Sequence, residues 1–244
     1  MMALRALLFD VDGTLADTED AHRQSFNRAF VELGYDWRWE RPLYRELLRV
    51  TGGKERLRHF WQTHHPEFAA SHDIVGLAAE LHKVKTGHYV GMMKSGGIPL
   101  RPGIVRLLDE ARAAGLLLAI ATTTTYDNIA ALLTANLGEE SIAWFAAIGA
   151  GDCVPQKKPA PNIYHWVMDK LGVAASECMA FEDSENGLVS ATRAGLDTIV
   201  TVNAYTEGQD FGAAIRVLPD LDGVALPEIV SWHGACRGQT IGVA

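Results

Sequence analysis

The stretch ALLFDVDGTL, residues 6–15, decides the fold of this chain. Its apolar start predicts a buried β-strand over Ala6–Val11, and Asp10 and Asp12 lie at the carboxyl end of that run. Open α/β sheets bind ligands in the crevice outside the carboxyl ends of their strands, and Gly13 allows the chain to turn sharply there. Taken alone, an Asp-Gly segment is more typical of a solvated turn, so the rest of the chain must decide its role.

Short apolar runs recur after this first strand, with segments of helical length between them. They predict further strands at Leu116–Thr122, Phe145–Gly149, Cys178–Phe181 and Thr198–Val202, with Arg216–Leu218 as a candidate sixth. This alternation is typical of βαβ units around a buried parallel sheet. Proline-start and glycine-stop signals predict helices from Pro102 to Ala114 and from Pro159 to Leu171.

Residues 16–97 break this alternation. They show helical periodicity and almost no strand signal, as in the run from His22 to Leu33 that stops at Gly34. We expect hinges at Ser95-Gly96-Gly97 and in the residues before Ala21. The predicted organisation is a discontinuous domain of residues 1–15 and 98–233, an all-helical domain of residues 16–97, and a loose tail of residues 234–244.

The composition excludes several classes of protein. With 244 residues, 48% hydrophobic and 21% charged, the chain is typical of a soluble globular protein and not of a disordered one. Its formal net charge of −8 argues against a nucleic-acid partner. The first apolar run is too short for a signal peptide, and no stretch reaches the roughly 18 apolar residues that span a membrane. We therefore expect a cytoplasmic protein without membrane contact, and a monomer because nothing resembles a dimer interface.

Three later strand ends carry polar side chains at the same predicted edge of the sheet. Thr122 follows the second strand, Lys158 precedes the helix after the third, and Glu182 and Asp183 follow the fourth. Each segment alone has an ordinary explanation, such as a helix cap or a solvated loop. Together with the first stretch they bring acid, hydroxyl, cation and acid to neighbouring strand ends, and this combination predicts one site.

These four segments resemble, in order and spacing, the four motifs of the haloacid dehalogenase superfamily, and the resemblance covers nearly the whole chain. The motifs correspond to residues 10–14, Thr122, Lys158 and Glu182-Asp183. The resemblance implies an α/β fold with a Rossmann-like core around a parallel sheet. Segment 16–97 resembles the all-helical C1 cap of the family's phosphatases and of β-phosphoglucomutase. We call this segment the cap, and residues 1–15 with 98–233 the core.

The resemblance also implies a chemistry. Asp10 would attack phosphorus and form an aspartyl-phosphate, while Asp12 would protonate the leaving alkoxide and later deprotonate a water. Lys158 and Thr122 would neutralise and orient the phosphoryl oxygens. The expected phosphate contacts are Gly13, Thr122, Thr123 and Lys158.

The implied cofactor is Mg²⁺, because an attacking carboxylate and a phosphate repel one another and need a hard cation with oxygen ligands. Its expected ligands are Asp10, the main-chain oxygen of Asp12, and Asp183. Glu182 is expected either to bind through a water or to brace the ligands from behind. Two features bear on the family pattern: Asn162 replaces an aspartate that is usual in the third motif, and Asp12, which the family's dehalogenases lack, favours phosphoryl transfer.

Segments of the cap and its exit resemble the CbbY branch of the family, namely residues 14–22, 50–57, 81–86 and 99–103. That branch removes the 1-phosphate of xylulose 1,5-bisphosphate, a Rubisco inhibitor, and leaves xylulose 5-phosphate. The resemblance implies a sugar bisphosphate as the small-molecule substrate. Open alternatives are a β-phosphoglucomutase-like phosphomutase, a broad-specificity sugar monophosphatase and an inactive sugar-phosphate sensor.

A substrate with two phosphates needs a second anion site in the cap. Lys54 is the best candidate, because the glycine turn that ends at Gly53 brings main-chain amides close to an anion. Glu19 and His22, three residues apart, share one helix face and are expected to bind sugar hydroxyls. A basic side chain on a helix is otherwise usually solvated. The expected substrate contacts are Glu19, His22, Tyr44, Arg49, Gly53, Lys54 and Lys85.

Overall fold

The computed structural model of the protein describes residues 3–95 and 97–238. Its core contains a parallel sheet in the spatial order β3-β2-β1-β4-β5-β6. The strands are β1 Ala6–Phe9, β2 Leu117–Ala121, β3 Phe145–Gly149, β4 Cys178–Glu182, β5 Asp197–Thr201 and β6 Arg216–Leu218. All six predicted strands are present, and the predicted α/β class with a Rossmann-like core is confirmed.

The central strand β1 is buried along its whole length, because helices cover both faces of a parallel sheet. Phe9 lies in register with Ile120 of β2 on one side and with Phe181 of β4 on the other. The rings of Phe9 and Phe181 stack with their centroids 4.6 Å apart. The strand order reverses at β1, and this reversal opens a crevice at its carboxyl end.

Within the described residues, the core helices that flank the sheet are α6 Ile104–Ala113, α7 Tyr126–Leu137, α8 Asn162–Leu171, α9 Glu185–Arg193 and α10 Leu226–Gly238. The predicted helices before β2 and after β3 are therefore present as α6 and α8. The helix α10 continues past Gly234, where the loose tail was predicted to begin, because Ile229 and His233 anchor it against the core. Residues 239–244 of the predicted tail lie outside the described residues.

The cap consists of helices: α1 Glu19–Glu32, α2 Arg41–Leu47, α3 Gly53–His64, α4 Pro66–Ser71 and α5 Ile74–Lys94. An aromatic cluster separate from the sheet's own apolar clusters holds it together, with Phe26 and Phe30 of α1 packed around Trp39. The two linkers to the core meet where Ala16 pairs with Leu100 in an antiparallel bridge. Gly96 of the predicted second hinge lies outside the described residues.

No helix within the described part of the chain is long and apolar enough to cross a bilayer.

Candidate active site

The four predicted segments meet at the carboxyl edge of the sheet, beneath the cap. They line a cavity of about 630 Å³ whose other wall is built by α1, α3 and α5. Parallel strands end on one side of the sheet, so residues far apart in the chain converge there. The core contributes Asp10, Asp12, Thr122, Thr123, Lys158 and Asp183 to the cavity wall, and the cap contributes Glu19, His22, Arg49, Gly53, Arg56 and Lys85.

Lys158 lies between two carboxylates at the bottom of this cavity. Its Nζ donates to Asp10 Oδ1 and to Glu182 Oε1, each at 2.6 Å. Burial alone would lower the pKa of Lys158, but the charges of Asp10 and Glu182 raise it above the ordinary value. Burial raises the pKa of Asp10, and the Lys158 ammonium opposes that rise. The arrangement holds a permanent cation beside the predicted nucleophile.

Three buried carboxylates form a cluster that fits a metal ion. One oxygen from each of Asp10, Glu182 and Asp183 lies within 4.8 Å of the others. Burial, together with repulsion from Asp10 and Glu182, raises the pKa of Asp183 well above its ordinary value. A cation among the three would relieve this repulsion, and carboxylate oxygens are the ligands that Mg²⁺ prefers. The donor set therefore fits the predicted cofactor.

Glu182 is held from one side. Its Oε1 accepts from Lys158 and from the hydroxyl of Tyr164. Its Oε2 is buried, packs against Gly187 and has no hydrogen-bond partner in the described part of the chain. Burial raises the pKa of Glu182 to about 7. Tyr164, on α8, was not predicted as a site residue. It lies outside the motif residues, and nothing in the sequence indicates its contact with Glu182.

Gly13 and Asn203 position Asp183. Gly13 has φ +86°, and a Cβ there would collide with Asp183 Oδ2, so the loop after β1 can approach β4 this closely only with glycine. Asn203 Nδ2 donates to Asp183 Oδ2 at 2.7 Å. The structure thus packs Gly13, a predicted phosphate contact, against a predicted metal ligand. Asn203 follows β5 and was not predicted.

Asp12 faces the cap instead of the cluster. Its Oδ1 accepts from Thr18 Oγ1 at 2.6 Å and lies 2.7 Å from His22 Nε2. Lys85 Nζ lies 2.6 Å from His22 Nδ1. A protonated lysine can only donate, so Nδ1 accepts and the imidazole proton is on Nε2, directed at Asp12.

This chain of hydrogen bonds stabilises the aspartate anion. Burial opposes the effect, but the hydrogen bonds from His22 and Thr18, with the charge of Lys85 behind them, lower the pKa of Asp12. Burial lowers the pKa of His22 to about 4 and that of Lys85 to about 8. Asp12 is therefore ionised at neutral pH, the form that a general base requires.

A second buried network supports Glu19. Tyr44 is fully buried, and its hydroxyl donates to Glu19 Oε2 at 3.0 Å while accepting from Arg56 Nη1 at 2.9 Å. Burial raises the pKa of Glu19 to about 7. Glu19 lines the cavity as predicted, whereas Tyr44 lies behind Glu19 and Arg56 and supports them.

Arg56 was not predicted as a site residue, yet it lines the cavity, and among the described residues its buried Nε has no hydrogen-bond partner. A signal was present, because Gly53 and Arg56 are three apart on α3 and share a face. Lys54, the predicted anion ligand, points elsewhere. Its ammonium pairs with Asp152 of the core, and it lines a neighbouring cavity between α5 and α7.

The remaining predicted contacts lie in the cavity wall. Thr122 is buried, and its Oγ1 accepts from the main-chain nitrogen of Thr124 at 3.3 Å. Arg49 lines the cavity with an exposed side chain, and its main-chain oxygen accepts from Asn186 of the core.

The sequence of this site matches a known family model. Residues 4–195 match the model of the haloacid dehalogenase-like hydrolases. The chain belongs to this family. The predicted resemblance is therefore confirmed, and the protein is a hydrolase.

Relatives of known sequence narrow the similarity to one branch of the family. The chain is 50% identical to the plasmid-encoded protein CbbY of Cupriavidus necator over 224 residues, which cover 92% of this chain and 88% of the relative. It is 48% identical to protein CbbY of Rhodobacter capsulatus, with 93% and 100% of the two chains covered. These relatives support the predicted class of enzyme, a phosphatase.

Solved structures agree with this placement. The crystal structure of CbbY from Rhodobacter sphaeroides in complex with phosphate superposes with a TM-score of 0.86 at 45% identity, covering 92% of this chain and 98% of that one. A mutant of the same protein has been solved in complex with xylulose-(1,5)bisphosphate, and it superposes equally well at 44% identity. A β-phosphoglucomutase from Clostridium difficile shares the fold, with a TM-score of 0.79 at 18% identity.

Proposed function

We propose that the protein is a Mg²⁺-dependent sugar bisphosphate phosphatase that removes the 1-phosphate of xylulose 1,5-bisphosphate and releases xylulose 5-phosphate. One observation carries the proposal: a single cavity has a nucleophile and a cation on its core side, Asp10 and Lys158, and two basic side chains on its cap side, Arg56 and Lys85. The complex of the Rhodobacter sphaeroides relative with xylulose-(1,5)bisphosphate supports the choice of sugar.

In the first half of the reaction, a carboxylate oxygen of Asp10 attacks the phosphorus of the 1-phosphate, and the bond to the sugar oxygen breaks. Asp12 gives its proton to the leaving alkoxide, and Lys158 and Thr122 hold the phosphoryl oxygens. Asp10, the main-chain oxygen of Asp12, and Asp183 would hold Mg²⁺, with Glu182 as a ligand through water or as a brace. When bound, the ion would screen the repulsion between carboxylate and phosphate.

In the second half, a water attacks the aspartyl-phosphate on Asp10. Asp12 accepts the proton of that water, phosphate leaves, and the carboxylate of Asp10 is restored. The hydrogen bonds from Thr18 and His22 to Asp12 favour its ionised form, which suits this half of the cycle. Asp12 is protonated at the end of this half, and that proton serves the leaving alkoxide in the first half of the next turnover.

The second phosphate would bind in the cap to Arg56 and Lys85. Arg56 has one buried nitrogen without a partner, and a buried donor without an acceptor is costly unless a ligand satisfies it. Lys54, expected in this role from the sequence, is paired with Asp152, so we propose Arg56 in its place. Glu19 and His22 line the same cavity. Glu19 would bind a sugar hydroxyl, whereas both ring nitrogens of His22 contact protein groups, Asp12 and Lys85, so His22 would act by supporting these two side chains.

The direct test is phosphate release from xylulose 1,5-bisphosphate, ribulose 1,5-bisphosphate, and glucose and fructose phosphates at matched concentrations, with Mg²⁺ and with EDTA. We expect preference for xylulose 1,5-bisphosphate, lost with EDTA and lost in Asp10→Asn. Equal release from many monophosphates would replace the proposal with a broad-specificity monophosphatase. Transfer of a labelled phosphoryl group between sugars in a single turnover would instead identify a phosphomutase.

A further inference from the structure

Arg101 carries a buried charge in the linker that returns from the cap to the core. Its side chain is 6% exposed, and its guanidinium donates to four main-chain oxygens. One acceptor is Gly13, in the loop after β1. The others are Thr201 at 3.1 Å, Val202 at 2.8 Å and Pro219 at 2.6 Å, at the ends of β5 and β6.

The contact between Arg101 and Gly13 links Arg101 to the residues of the predicted metal site. Gly13 directly follows Asp12, whose main-chain oxygen is a proposed ligand. The oxygen of Gly13 also lies 3.4 Å from Asn203 Nδ2, which in turn donates to Asp183 at 2.7 Å. Arg101 and Asn203 thus fix the loop that carries Asp10 and Asp12 against the strand ends beside Asp183.

Arg101 also lies where the cap linkers join the core. Its main-chain nitrogen donates to the oxygen of Leu15 at 2.8 Å, next to the bridge between Ala16 and Leu100. Arg101 therefore lies at the junction of the two cap linkers with the core. The planar guanidinium, with five N–H donors, suits four fixed acceptors, whereas a lysine ammonium has three.

We propose that Arg101 is a positioning residue for the metal site. It holds the loop of Asp10, Asp12 and Gly13 against the ends of β5 and β6, so that the carboxylate cluster stays assembled when the linkers move. The inference rests on the proposed use of a divalent cation and does not depend on which sugar is the substrate.

The chain offers a matched control in Arg106 of α6. Its Nη2 donates to three main-chain oxygens of the segment that follows β6, and its Nη1 pairs with Glu110. Arg106 therefore anchors backbone as Arg101 does, but it does not contact the loop after β1. If any loss of backbone anchoring weakened metal binding, substitution of either arginine would do so. If the loop after β1 must be held in place, only substitution of Arg101 would weaken it.

The experiment measures Mn²⁺ binding to the substrate-free protein by electron paramagnetic resonance of the free ion. We expect the Kd for Mn²⁺ to rise by about 10-fold to 100-fold in Arg101→Ala and to change less than about 2-fold in Arg106→Ala, in line with losses of outer-shell support in other metal sites. In turnover assays, Arg101→Ala should lower kcat and raise the Mg²⁺ requirement, leaving the KM for sugar phosphate unchanged. Added guanidinium should restore part of the lost Mn²⁺ affinity.

Unchanged Mn²⁺ affinity in folded Arg101→Ala would overturn the inference, as would an equal loss in Arg106→Ala. If Arg101→Ala does not fold, Arg101→Lys takes its place. This variant keeps the charge but can donate to fewer of the four main-chain oxygens. Wild-type Mn²⁺ affinity in Arg101→Lys would overturn the inference as well. Absence of Mn²⁺ binding in the wild type would overturn both this inference and the proposed metal dependence. A different sugar substrate would overturn only the proposed function.

Discussion

At the scale of single residues, Asp10 and Asp12 lie two positions apart and have opposite partners. Asp10 contacts the Lys158 ammonium and the carboxylate cluster, whereas Asp12 contacts Thr18 and His22 of the cap side. Environments that separate two carboxylates in this way assign them different roles. The two environments support the proposed roles, in which Asp10 attacks phosphorus and Asp12 exchanges a proton.

This separation gives a first prediction. Asp12→Asn should lower kcat by roughly 10²-fold to 10⁴-fold, the usual contribution of a general acid and base, while Asp10→Asn should abolish turnover. The measurement is steady-state phosphate release, with Asp36→Asn, an exposed aspartate of the cap, as the control. Substantial turnover in Asp10→Asn would contradict the assignment of the nucleophile.

A second prediction concerns the cationic side chains of the cap. Arg56→Ala should raise the KM for xylulose 1,5-bisphosphate by roughly 10-fold to 100-fold, the usual loss for a hydrogen bond to a charged group, and should change the KM for a monophosphate much less. Lys54→Ala is the matched control: its ammonium pairs with Asp152 outside the cavity, so its loss should lower kcat/KM by no more than about 5-fold, and equally for both substrates. Equal losses on both substrates would discard the role of Arg56 in binding the second phosphate.

The pH dependence gives a third prediction. Burial lowers the pKa of Lys85 to about 8, so the lysine loses its charge as the pH rises through that value. In the proposed function this cation binds the second phosphate of the substrate, and kcat/KM should therefore fall above about pH 8. Arg stays charged throughout this range, so Lys85→Arg should remove the fall, while Lys83→Arg, on the exposed side of α5, should keep it. Persistence of the fall in Lys85→Arg would assign it to another group.

Residues at the strand ends could be predicted from the sequence, because a parallel sheet brings its carboxyl ends to one edge. The cap contacts were harder. Lys54 and Arg56 are two positions apart on α3, about 200° around the helix axis, so only one of them can face the cavity. Gly53 was correctly predicted to line the cavity, and Arg56 lies on the same face of α3. Lys54 pairs instead with Asp152, a core residue, and nothing in the sequence indicates this contact.

At the scale of elements, the start of strand β1 was predicted correctly, but its end was placed too late in the chain. The apolar run suggested a strand through Val11, whereas β1 ends at Phe9. Val11 is 1% exposed, so burial continues after the ladder of hydrogen bonds has ended. Sequence periodicity reports burial, and it cannot distinguish a strand from the buried start of a loop.

The position of Phe9 between two neighbouring strands gives a fourth prediction. Phe9→Ala should lower the free energy of unfolding by about 3–5 kcal/mol, because a buried aromatic ring and its stacking on Phe181 are lost. Urea denaturation measures this change. The control is Val31→Ala. Val31 is 74% exposed, so its substitution should change the free energy of unfolding by less than about 0.5 kcal/mol. A small effect at Phe9 would mean that β1 is not the centre of the packed sheet.

At the scale of the whole molecule, contacts between single side chains join the cap to the core around the cavity mouth. Asn186 donates to Thr51 at 3.1 Å, and Tyr205 donates to Asp20 at 2.9 Å. Lys54 pairs with Asp152. The helical nature of the cap was predictable from periodicity, but its orientation was not, because these contacts join single side chains of unrelated loops and helices.

The ion pair between Lys54 and Asp152 gives the last prediction. Both side chains are partly exposed, so the pair is worth about 0–1 kcal/mol, and its loss should lower kcat/KM by no more than about 5-fold. We expect the cap to close over the substrate and to bring Glu19 and His22 to it, so Asp152→Asn should change kcat and KM together instead of KM alone. Salt screens an exposed pair, and the difference between Asp152→Asn and the wild type should therefore shrink as ionic strength rises.

The control for this prediction is Asp109→Asn. Asp109 also forms a partly exposed ion pair, with Arg112, but both residues belong to the core and lie on one helix. Its substitution should leave the kinetics unchanged at every salt concentration. If Asp109→Asn slows the enzyme as much as Asp152→Asn does, the effect arises from net charge, and the contact between Lys54 and Asp152 does not contribute to closing the cap. If only Asp152→Asn acts, and its effect fades with salt, the lysine expected to bind phosphate serves instead to hold the cap on the core.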